Sequence, residues 1–300
     1  MRKIAILGAT GSGKTTLSIE LAKELNANIL SLDSLSIYKE INIASAKPSH
    51  VYTKKVKHFG IDVLHVNEDF NVTLFFKLYN EAKSRSKKDG KNLIIVGGTG
   101  FYLKSMIDGI SYKPKISEDT KLKVKQNLSN GHVLISEFDE IYASTISKND
   151  SYRIEKWLEI YFQTGITPSQ FFKLNQKKPI VKNLKLYEID IDKQILRDRI
   201  SKRTTIMLEN GLIDEVFYLE KRYTRTPNPM RSIGIKETLS FLDGNFNKNE
   251  LKEKIITNTS KLAKRQKTFN TTQFKEHFRG STEEIKKELQ NANISKKSFK

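Results

Sequence analysis

The sequence predicts an α/β protein with a P-loop NTPase-like parallel sheet core and a mostly helical insertion domain. Short apolar segments alternate with amphipathic segments of helical spacing, which is the pattern of a parallel sheet covered by helices. A glycine-rich motif at residues 8–15 joins the first strand to the first helix. Residues 113–182 show helical patterns and polar loops without a strand-like segment. We therefore expect a catalytic core formed by residues 1–112 and 183–300, with residues 113–182 inserted into it as a helical domain.

In the N-terminal part of the chain, strands and helices are predicted to alternate. Apolar strands are expected at residues 3–7, 28–32 and 92–96. Leu17, Leu21 and Leu25 recur at helical spacing after the glycine motif, and a second helix is expected at residues 72–88 before Gly90. Ligands of such sheets bind beyond the carboxyl ends of the strands, so the functional site is expected at that edge.

Further helices and one more strand are predicted in the middle and later parts of the chain. Within the insertion, helices are expected at residues 119–129, 132–139 and 151–163. A β-like segment at residues 187–191 and a long helix from residue 194 past residue 208 then return the chain to the core.

Composition narrows the class of protein. The chain has no cysteine, which excludes disulfides, thiolate metal sites and a cysteine nucleophile. No segment approaches the roughly 18 consecutive apolar residues of a membrane span. We expect a monomeric cytoplasmic protein with no membrane partner.

The charge balance is strongly basic. Lys and Arg total 53 against 34 Asp and Glu, which gives a net charge of +19. A polyanionic partner such as a nucleic acid explains this excess, because each phosphate contact releases counterions. A lysine-biased genome is the alternative, and the charge by itself does not decide between them.

The strongest motif is the eight-residue phosphate-binding pattern. It consists of Gly8, Ala9, Thr10, Gly11, Ser12, Gly13, Lys14 and Thr15. The glycines let backbone amides point at phosphate oxygens, and the helix N-terminus adds a favourable dipole. Lys14 supplies a cation to the terminal phosphate and Thr15 a hydroxyl to Mg²⁺. A chance glycine-rich turn is the alternative, and the strand before it and the helix after it argue against that.

Two other strand ends carry candidate catalytic residues. Asp33 follows the second strand, where it could be a helix N-cap or a general base facing the phosphates. Thr99 follows the third strand within a glycine-rich turn. Many P-loop ATPases carry a metal-binding Asp at that strand end, so the glycines there weaken the hypothesis of an ATP-hydrolysing motor. The turn could also need its glycines only for tight geometry.

Basic pairs on predicted helices have an ordinary explanation as solvated faces. They are Arg199 with Arg203, Arg153 with Lys156, and the run from Lys264 to Lys267. The five histidines show no metal-ligand spacing.

Taken in order, these motifs resemble the tRNA dimethylallyltransferases, also called tRNA isopentenyltransferases. The resemblance covers the P-loop, Asp33-Ser34, Ala46-Lys47-Pro48, Gly97-Gly98-Thr99, Asp150-Ser151-Tyr152-Arg153, Gly211-Leu212-Ile213-Asp214-Glu215 and Lys264-Arg265-Gln266. It extends from Ile4 to about Phe269. The resemblance implies transfer of a dimethylallyl group from dimethylallyl diphosphate to N6 of the adenosine 3′-adjacent to the tRNA anticodon, with release of diphosphate and with Mg²⁺ as cofactor.

The resemblance also implies roles for individual residues. Asp33 would accept the proton of the amine, and Thr99 would contact the reacting region. The P-loop residues, Arg199 and Arg203 would hold the diphosphate. The residues expected to contact the tRNA anticodon stem-loop are Asp33, Ser34, Leu35, Ser36, Thr99, Lys121, Arg153, Lys156, Lys264, Arg265 and Gln266.

Two other functions share part of this pattern. A P-loop small-molecule kinase would use the same loop and strand-end Asp to bind and cleave ATP, and the large basic insertion argues against it. A nucleic-acid-binding module without catalysis would carry the P-loop as a relic, and the intact Lys14, Thr15 and Asp33 argue against that.

Overall fold

A six-stranded parallel sheet forms the centre of the fold. The computed structural model describes residues 1–48, 56–111, 114–175 and 178–297. The strands are β1 (Lys3–Gly8), β2 (Ala27–Ser31), β3 (His58–Phe59), β4 (Asn92–Gly97), β5 (Lys185–Ile189) and β6 (Phe278–Gly280). They lie in the order β3-β2-β4-β1-β5-β6, and every neighbouring pair is parallel. Because β1 lies between β4 and β5, the loop after β1 opens near the middle of the sheet edge.

The helices follow the strands along the chain. They are α1 (Lys14–Glu24), α2 (Val72–Lys88), α3 (Gly100–Asp108), α4 (Glu118–Asn127), α5 (Gly131–Phe138), α6 (Glu140–Ala143), α7 (Ser151–Thr164), α8 (Pro168–Leu174), α9 (Lys193–Glu209), α10 (Leu212–Tyr223), α11 (Ile235–Leu242), α12 (Lys248–Gln273) and α13 (Thr282–Lys297). None of those that lie in the described ranges is long and apolar enough to cross a lipid bilayer.

Both faces of the sheet are buried. Ile4 and Ile6 of β1 belong to an apolar cluster that also contains Leu21 of α1 and Leu289 of α13. Successive strand residues point to opposite faces, so Ala5 faces the other side, where it is also fully buried. Near-continuous apolar strands are expected for a parallel sheet covered on both sides.

The chain forms two compact units. One comprises Met1–Ser105 with Val181–Lys300, and the other comprises Met106–Ile180. In the second unit, helices pack around Val124, Ile135, Ile154, Trp157 and Leu158. The indole Nε1 of Trp157 donates to Oδ2 of Asp139, at 3.2 Å, so the buried ring also satisfies its polar group.

The structure confirms the predicted fold class and most of the predicted elements. The predicted helix at residues 72–88 has the predicted ends, and the described part of Met106–Ile180 contains helices and no strand. The predicted strand at residues 187–191 ends two residues earlier, because the Asp192 side chain accepts hydrogen bonds from the amides of Gln194 and Ile195 and starts α9 there. The predicted domain boundary between residues 112 and 113 lies outside the described residues.

Candidate functional site

The P-loop connects β1 to α1 at the carboxyl edge of the sheet. Gly11 and Gly13 have φ angles of 89° and 94°, which only glycine adopts readily. A Cβ atom on Gly11 would also lie 3.2 Å from Leu196 and 3.3 Å from Ile200 of α9. The loop therefore needs these glycines both for its backbone conformation and for its close approach to α9.

Lys14 begins α1 and turns its side chain back over the loop. Its Nζ donates to the carbonyl of Ala9 at 2.8 Å. Desolvation lowers the pKa of Lys14 to about 8; the neighbouring charge of Arg203 lowers it further and that of Asp33 opposes the change. A phosphate group bound in the loop would add negative charge beside this lysine and raise its pKa.

Asp33 lies two residues after the end of β2 and organises the turn that follows. Its Oδ1 accepts hydrogen bonds from the amides of Leu35 (2.8 Å) and Ser36 (3.0 Å). The segment after Asp33 is a turn, so the alternative of a helix N-cap is wrong, although the carboxylate caps backbone amides in the same way. Oδ2 is the carboxylate atom that these backbone bonds do not use. Burial lowers the pKa of Arg203, and the charge on Asp33 opposes that shift, so these two groups lie close enough to interact.

Two cavities meet at Asp33. The first, the phosphate cavity, encloses about 170 Å³; its predicted site residues are Thr10, Gly11, Gly13, Lys14, Thr15, Asp33, Ser36 and Arg203. The second, the acceptor cavity, encloses about 380 Å³; its predicted site residues are Thr10, Asp33, Ser34, Leu35, Thr99, Arg203, Arg265 and Gln266. Thr10, Asp33, Ser45 and Arg203 line both. The structure thus brings a phosphate-binding loop and a second, larger opening to the two sides of one carboxylate.

The turn after β4 requires its glycines for packing. A Cβ on Gly97 would lie 2.5 Å from the Cβ of Leu32, and one on Gly100 would lie 2.5 Å from Oδ1 of Asn270. Gly98 is similarly crowded by the Gln266 side chain. This close packing fixes the position of Thr99 on the acceptor cavity.

Helix α12 contacts the P-loop directly. Oε1 of Gln266 accepts a hydrogen bond from the backbone amide of Thr10 at 2.9 Å. Gln266, predicted as a tRNA contact, therefore also holds the loop that carries the phosphate cavity.

Five of the predicted site residues in the first compact unit lie outside both cavities. Arg199 is exposed and its Nη1 donates to the carbonyl of Ser12 at 3.3 Å, so it contacts the loop from the side of α9. Gly8 and Ser12 pack within the loop. Ala9 and Lys264 line a third cavity, between α9 and α12.

The remaining predicted tRNA contacts belong to the second compact unit. Lys121 pairs with Glu118 (2.6 Å) and Arg153 with Asp150 (3.3 Å), and both basic side chains are more than half exposed. Burial lowers the pKa of Lys156, but its hydrogen bonds to Glu159 and Glu155 outweigh that effect and raise the pKa overall.

A loop formed by residues 41–48, here called the wall loop, was assigned no role from the sequence. Its Ser45 lines both cavities, and Lys47 lines the phosphate cavity. The Glu215 carboxylate of α10 accepts the backbone amides of Asn42 and Ile43 (both 2.8 Å) and Ala44 (2.9 Å).

Lys47 holds the same loop from inside. Its side chain is only 8% exposed, and Nζ donates to the carbonyl of Tyr38 and to Oδ1 of Asp62, each at 2.6 Å. Lys47 and Glu215 both occur in motifs that carry the family resemblance, which marks them as candidates but does not show which backbone groups they bond.

Few described side chains at the phosphate cavity could bind a metal ion. Among the described residues, no three His, Cys, Asp or Glu side chains cluster in a way that could hold a metal ion. The exposed Thr15 and the Asp33 carboxylate both line the phosphate cavity. Mg²⁺ is commonly held by one or two carboxylates together with substrate phosphates, so these residues fit a Mg²⁺ bound along with a diphosphate.

Comparison with known proteins places this site in a family. A sequence model described as IPP transferase matches residues 36–273. A tRNA dimethylallyltransferase of Sulfurovum sp. (strain NBC37-1) is 52% identical over 293 residues, which cover 96% of this chain and 97% of that protein. A protein of the same name from Helicobacter pylori (strain J99) is 46% identical over 286 residues, 94% of this chain and 91% of that protein.

Solved structures agree with the sequence comparisons. The crystal structure of a tRNA Δ²-isopentenylpyrophosphate transferase from Staphylococcus epidermidis has a TM-score of 0.70 at 30% identity, and the match covers 99% of this chain and 100% of that chain. A eukaryotic dimethylallyltransferase, described as acting on tRNA, has a TM-score of 0.77 at 25% identity over 90% of this chain and 70% of that chain.

Proposed function

The chain belongs to the IPP transferase family, and on that premise we propose that it transfers a dimethylallyl group from dimethylallyl diphosphate to tRNA. The proposed acceptor atom is N6 of the adenosine 3′-adjacent to the anticodon, and diphosphate is the product released. The observation that carries the proposal is the position of Asp33 at the junction of the phosphate cavity and the acceptor cavity.

The two cavities suit the two substrates. The P-loop amides, Lys14 and Arg203 surround the smaller cavity, and these groups match the charge of a diphosphate. The larger cavity is lined by Thr99, Arg265 and Gln266, where a base that has left its stack could enter. Extruding a base costs a few kcal/mol, and less in a single-stranded loop. An anticodon loop is therefore a favourable acceptor.

In the proposed reaction, the N6 nitrogen forms a bond to C1 of the dimethylallyl group while the bond from C1 to the diphosphate oxygen breaks. The diphosphate leaves with the bonding electrons, and Asp33 accepts the proton from N6. An exocyclic purine amine is a poor nucleophile, so the rate depends on positioning and on stabilising the leaving group. Lys14 and Arg203 supply the fixed positive charge for that stabilisation.

We include Mg²⁺ in the proposal because Thr15 offers a hydroxyl oxygen at the phosphate cavity, where a bound diphosphate would supply further oxygen ligands and leave Asp33 to act as the base. When bound, Mg²⁺ would neutralise charge that develops on the leaving diphosphate. Chelation with EDTA should abolish turnover, and added Mg²⁺ should restore it. Full turnover in EDTA would remove the ion from the proposal.

We also propose that the protein acts as a monomer in the cytoplasm. A chain without cysteine suits a reducing compartment. Sedimentation of the active enzyme at assay concentration would reveal a dimer if this part is wrong.

The decisive experiment offers two labelled donors to the same enzyme. Carbon-labelled dimethylallyl diphosphate and γ-phosphate-labelled ATP are each incubated with bulk tRNA, and the label in tRNA is counted. We expect carbon label in tRNA and no phosphate label. Transfer of phosphate to tRNA without any prenyl transfer would overturn the proposal. Binding of tRNA with transfer of neither label would support the non-catalytic alternative.

A further inference from the structure

A third cavity lies between α9, α12 and the end of β5, and the proposed reaction does not use it. It encloses about 520 Å³. Seven apolar residues form its walls: Ala9, Ile189, Ile191, Leu196, Ile200, Ile256 and Ala263. Within the part of the chain that the structure describes, it shares Ile200 alone with the acceptor cavity and no residue with the phosphate cavity. We refer to it as the α9–α12 cavity.

The size and lining of this cavity are those of a ligand site. Protein interiors are close-packed, and voids larger than a water molecule are few. Small-molecule sites typically enclose about 300–1,000 Å³ with mostly apolar walls and a few polar groups. The α9–α12 cavity falls within that range, and its walls match that description.

The rim of the cavity is basic. Lys193, Arg197, Lys261, Lys264 and Lys267 line it, against the acidic residues Glu188 and Asp190. Both acidic residues have basic partners: Asp190 is paired with Lys267 at 2.8 Å, and Glu188 with Arg279 at 2.6 Å. The rim therefore carries an excess of positive charge above an apolar interior, which is complementary to an apolar chain that ends in an anionic group.

The walls of the cavity also contact the donor-binding machinery. Leu196 and Ile200 pack against Gly11 of the P-loop, and Ala9 is itself a P-loop residue. The same helix carries Arg203 to the phosphate cavity. A molecule seated in the α9–α12 cavity would therefore press on the helix and loop that hold the diphosphate.

We propose that the α9–α12 cavity binds an amphiphilic anion, an isoprenoid or alkyl chain with a phosphate or diphosphate head, and that its occupancy changes the affinity of the phosphate cavity for its own ligand. Binding itself does not depend on the proposed prenyl transfer; only the coupling to donor affinity rests on it.

The test measures probe binding by calorimetry with the phosphate cavity saturated by an unreactive thio analogue of dimethylallyl diphosphate, and then compares the Kd of the analogue with and without bound probe; an unchanged Kd would overturn the coupling. The probes are geranyl diphosphate, decyl diphosphate and inorganic diphosphate, so that the two chain probes carry the same head group. We expect the first two to bind and inorganic diphosphate not to bind, because the apolar walls supply much of the interaction. Binding of both chains would identify chain chemistry as the determinant, whereas binding of geranyl diphosphate alone would identify an isoprenoid.

Two variants locate the binding. Ser260→Phe places a ring in the cavity, away from both other cavities, and should weaken probe binding about tenfold or more. Lys261→Glu reverses a rim charge and should weaken binding without altering the interior. Lys202→Glu, at an exposed position of α9 outside the cavity lining, is the matched control and should bind normally.

Three outcomes would overturn the proposal. One is failure of both chains to bind the saturated enzyme, and another is binding that Ser260→Phe and Lys261→Glu both leave unchanged in folded protein. The third is binding only when the thio analogue is omitted, which would place the probe in the P-loop. Each of these measurements is calorimetric, so its result can be interpreted even if the enzyme does not transfer a prenyl group.

Discussion

At the scale of single residues, the protonation of Lys14 sets how the phosphate cavity responds to pH. Desolvation lowers the pKa of this lysine to about 8, while an anionic ligand favours the protonated form and raises the pKa in the complex. Below pH 8 the free enzyme already carries the proton. Above pH 8 the free enzyme loses it, so ligand binding must take up a proton from solution.

We therefore predict that the Kd for dimethylallyl diphosphate is flat below about pH 8 and rises by up to about tenfold per pH unit above it. Calorimetry without tRNA, in buffers of different ionisation enthalpy, measures both the Kd and the proton uptake. Lys14→Met should bind more weakly and lose this pH dependence. A Kd that rises equally in Lys14→Met would attribute the effect to another group.

Asp33 is predicted to be essential for the chemical step. Asp33→Asn keeps an oxygen that can accept the amides of Leu35 and Ser36, but it removes the base. We expect kcat to fall by about 10²- to 10⁴-fold, the range for general acid–base catalysis, while tRNA binding persists. Single-turnover prenyl transfer and a tRNA filter-binding assay measure the two quantities. Normal turnover would rule out Asp33 as the base.

At the scale of elements, the contact between α10 and the wall loop is the one that most directly shapes the site. One carboxylate, Glu215, accepts three consecutive backbone amides, and charge-assisted bonds of this kind are stronger than neutral ones. The loop so held supplies Ser45 to both cavities. Glu215 is thus a positioning residue that acts through the loop.

We predict that Glu215→Gln, which retains one acceptor oxygen and loses the charge, lowers kcat/KM for the donor by about tenfold, through partial disorder of the wall loop. Steady-state kinetics with varied donor measure this effect. Asp214→Asn, the exposed neighbouring acid on α10, is the matched control and should be close to the parent enzyme. If both variants lose activity equally, helix charge rather than the loop contact is responsible.

The same elements show how far sequence reasoning reaches. The P-loop, Asp33 and Thr99 could be placed because each follows an apolar strand, and parallel strands end at one edge of a sheet. Lys47 and Glu215 could not be placed in the same way, because the bonds of Glu215 join residues more than 170 positions apart. Strands β3 and β6 were missed because two or three residues are too few to show a periodic pattern.

Arg199 illustrates a further limit. Its spacing from Arg203 puts both on neighbouring positions of one helix face, and the family resemblance implied that both hold the diphosphate. The structure places Arg203 on the phosphate cavity and Arg199 against the Ser12 carbonyl. Helical spacing indicates which residues are neighbours, but the packing of α9 against the P-loop decides which of them reaches the cavity.

At the scale of the whole molecule, the net charge of +19 affects the association of the protein with tRNA. A basic protein attracts a polyanion over long distances, and each phosphate that it neutralises releases counterions. The predicted tRNA contacts Lys121 and Arg153 are mostly exposed, with ion pairs to neighbouring acids that cost little to exchange for phosphate contacts.

We predict that the logarithm of the tRNA association constant falls linearly with the logarithm of salt concentration, and that Arg153→Gln and Lys121→Gln each reduce the slope by about 0.7 to 0.9. Filter binding across a salt series measures the slope. Lys87→Gln removes the same charge from an exposed position of α2 and is the matched control.

An unchanged slope in that control, with reduced slopes in the other two variants, would separate direct phosphate contacts from the general effect of net charge. Equal slopes in all three variants would mean that Lys121 and Arg153 do not contact phosphate, and a slope near zero in the parent enzyme would contradict an electrostatic role for the basic excess.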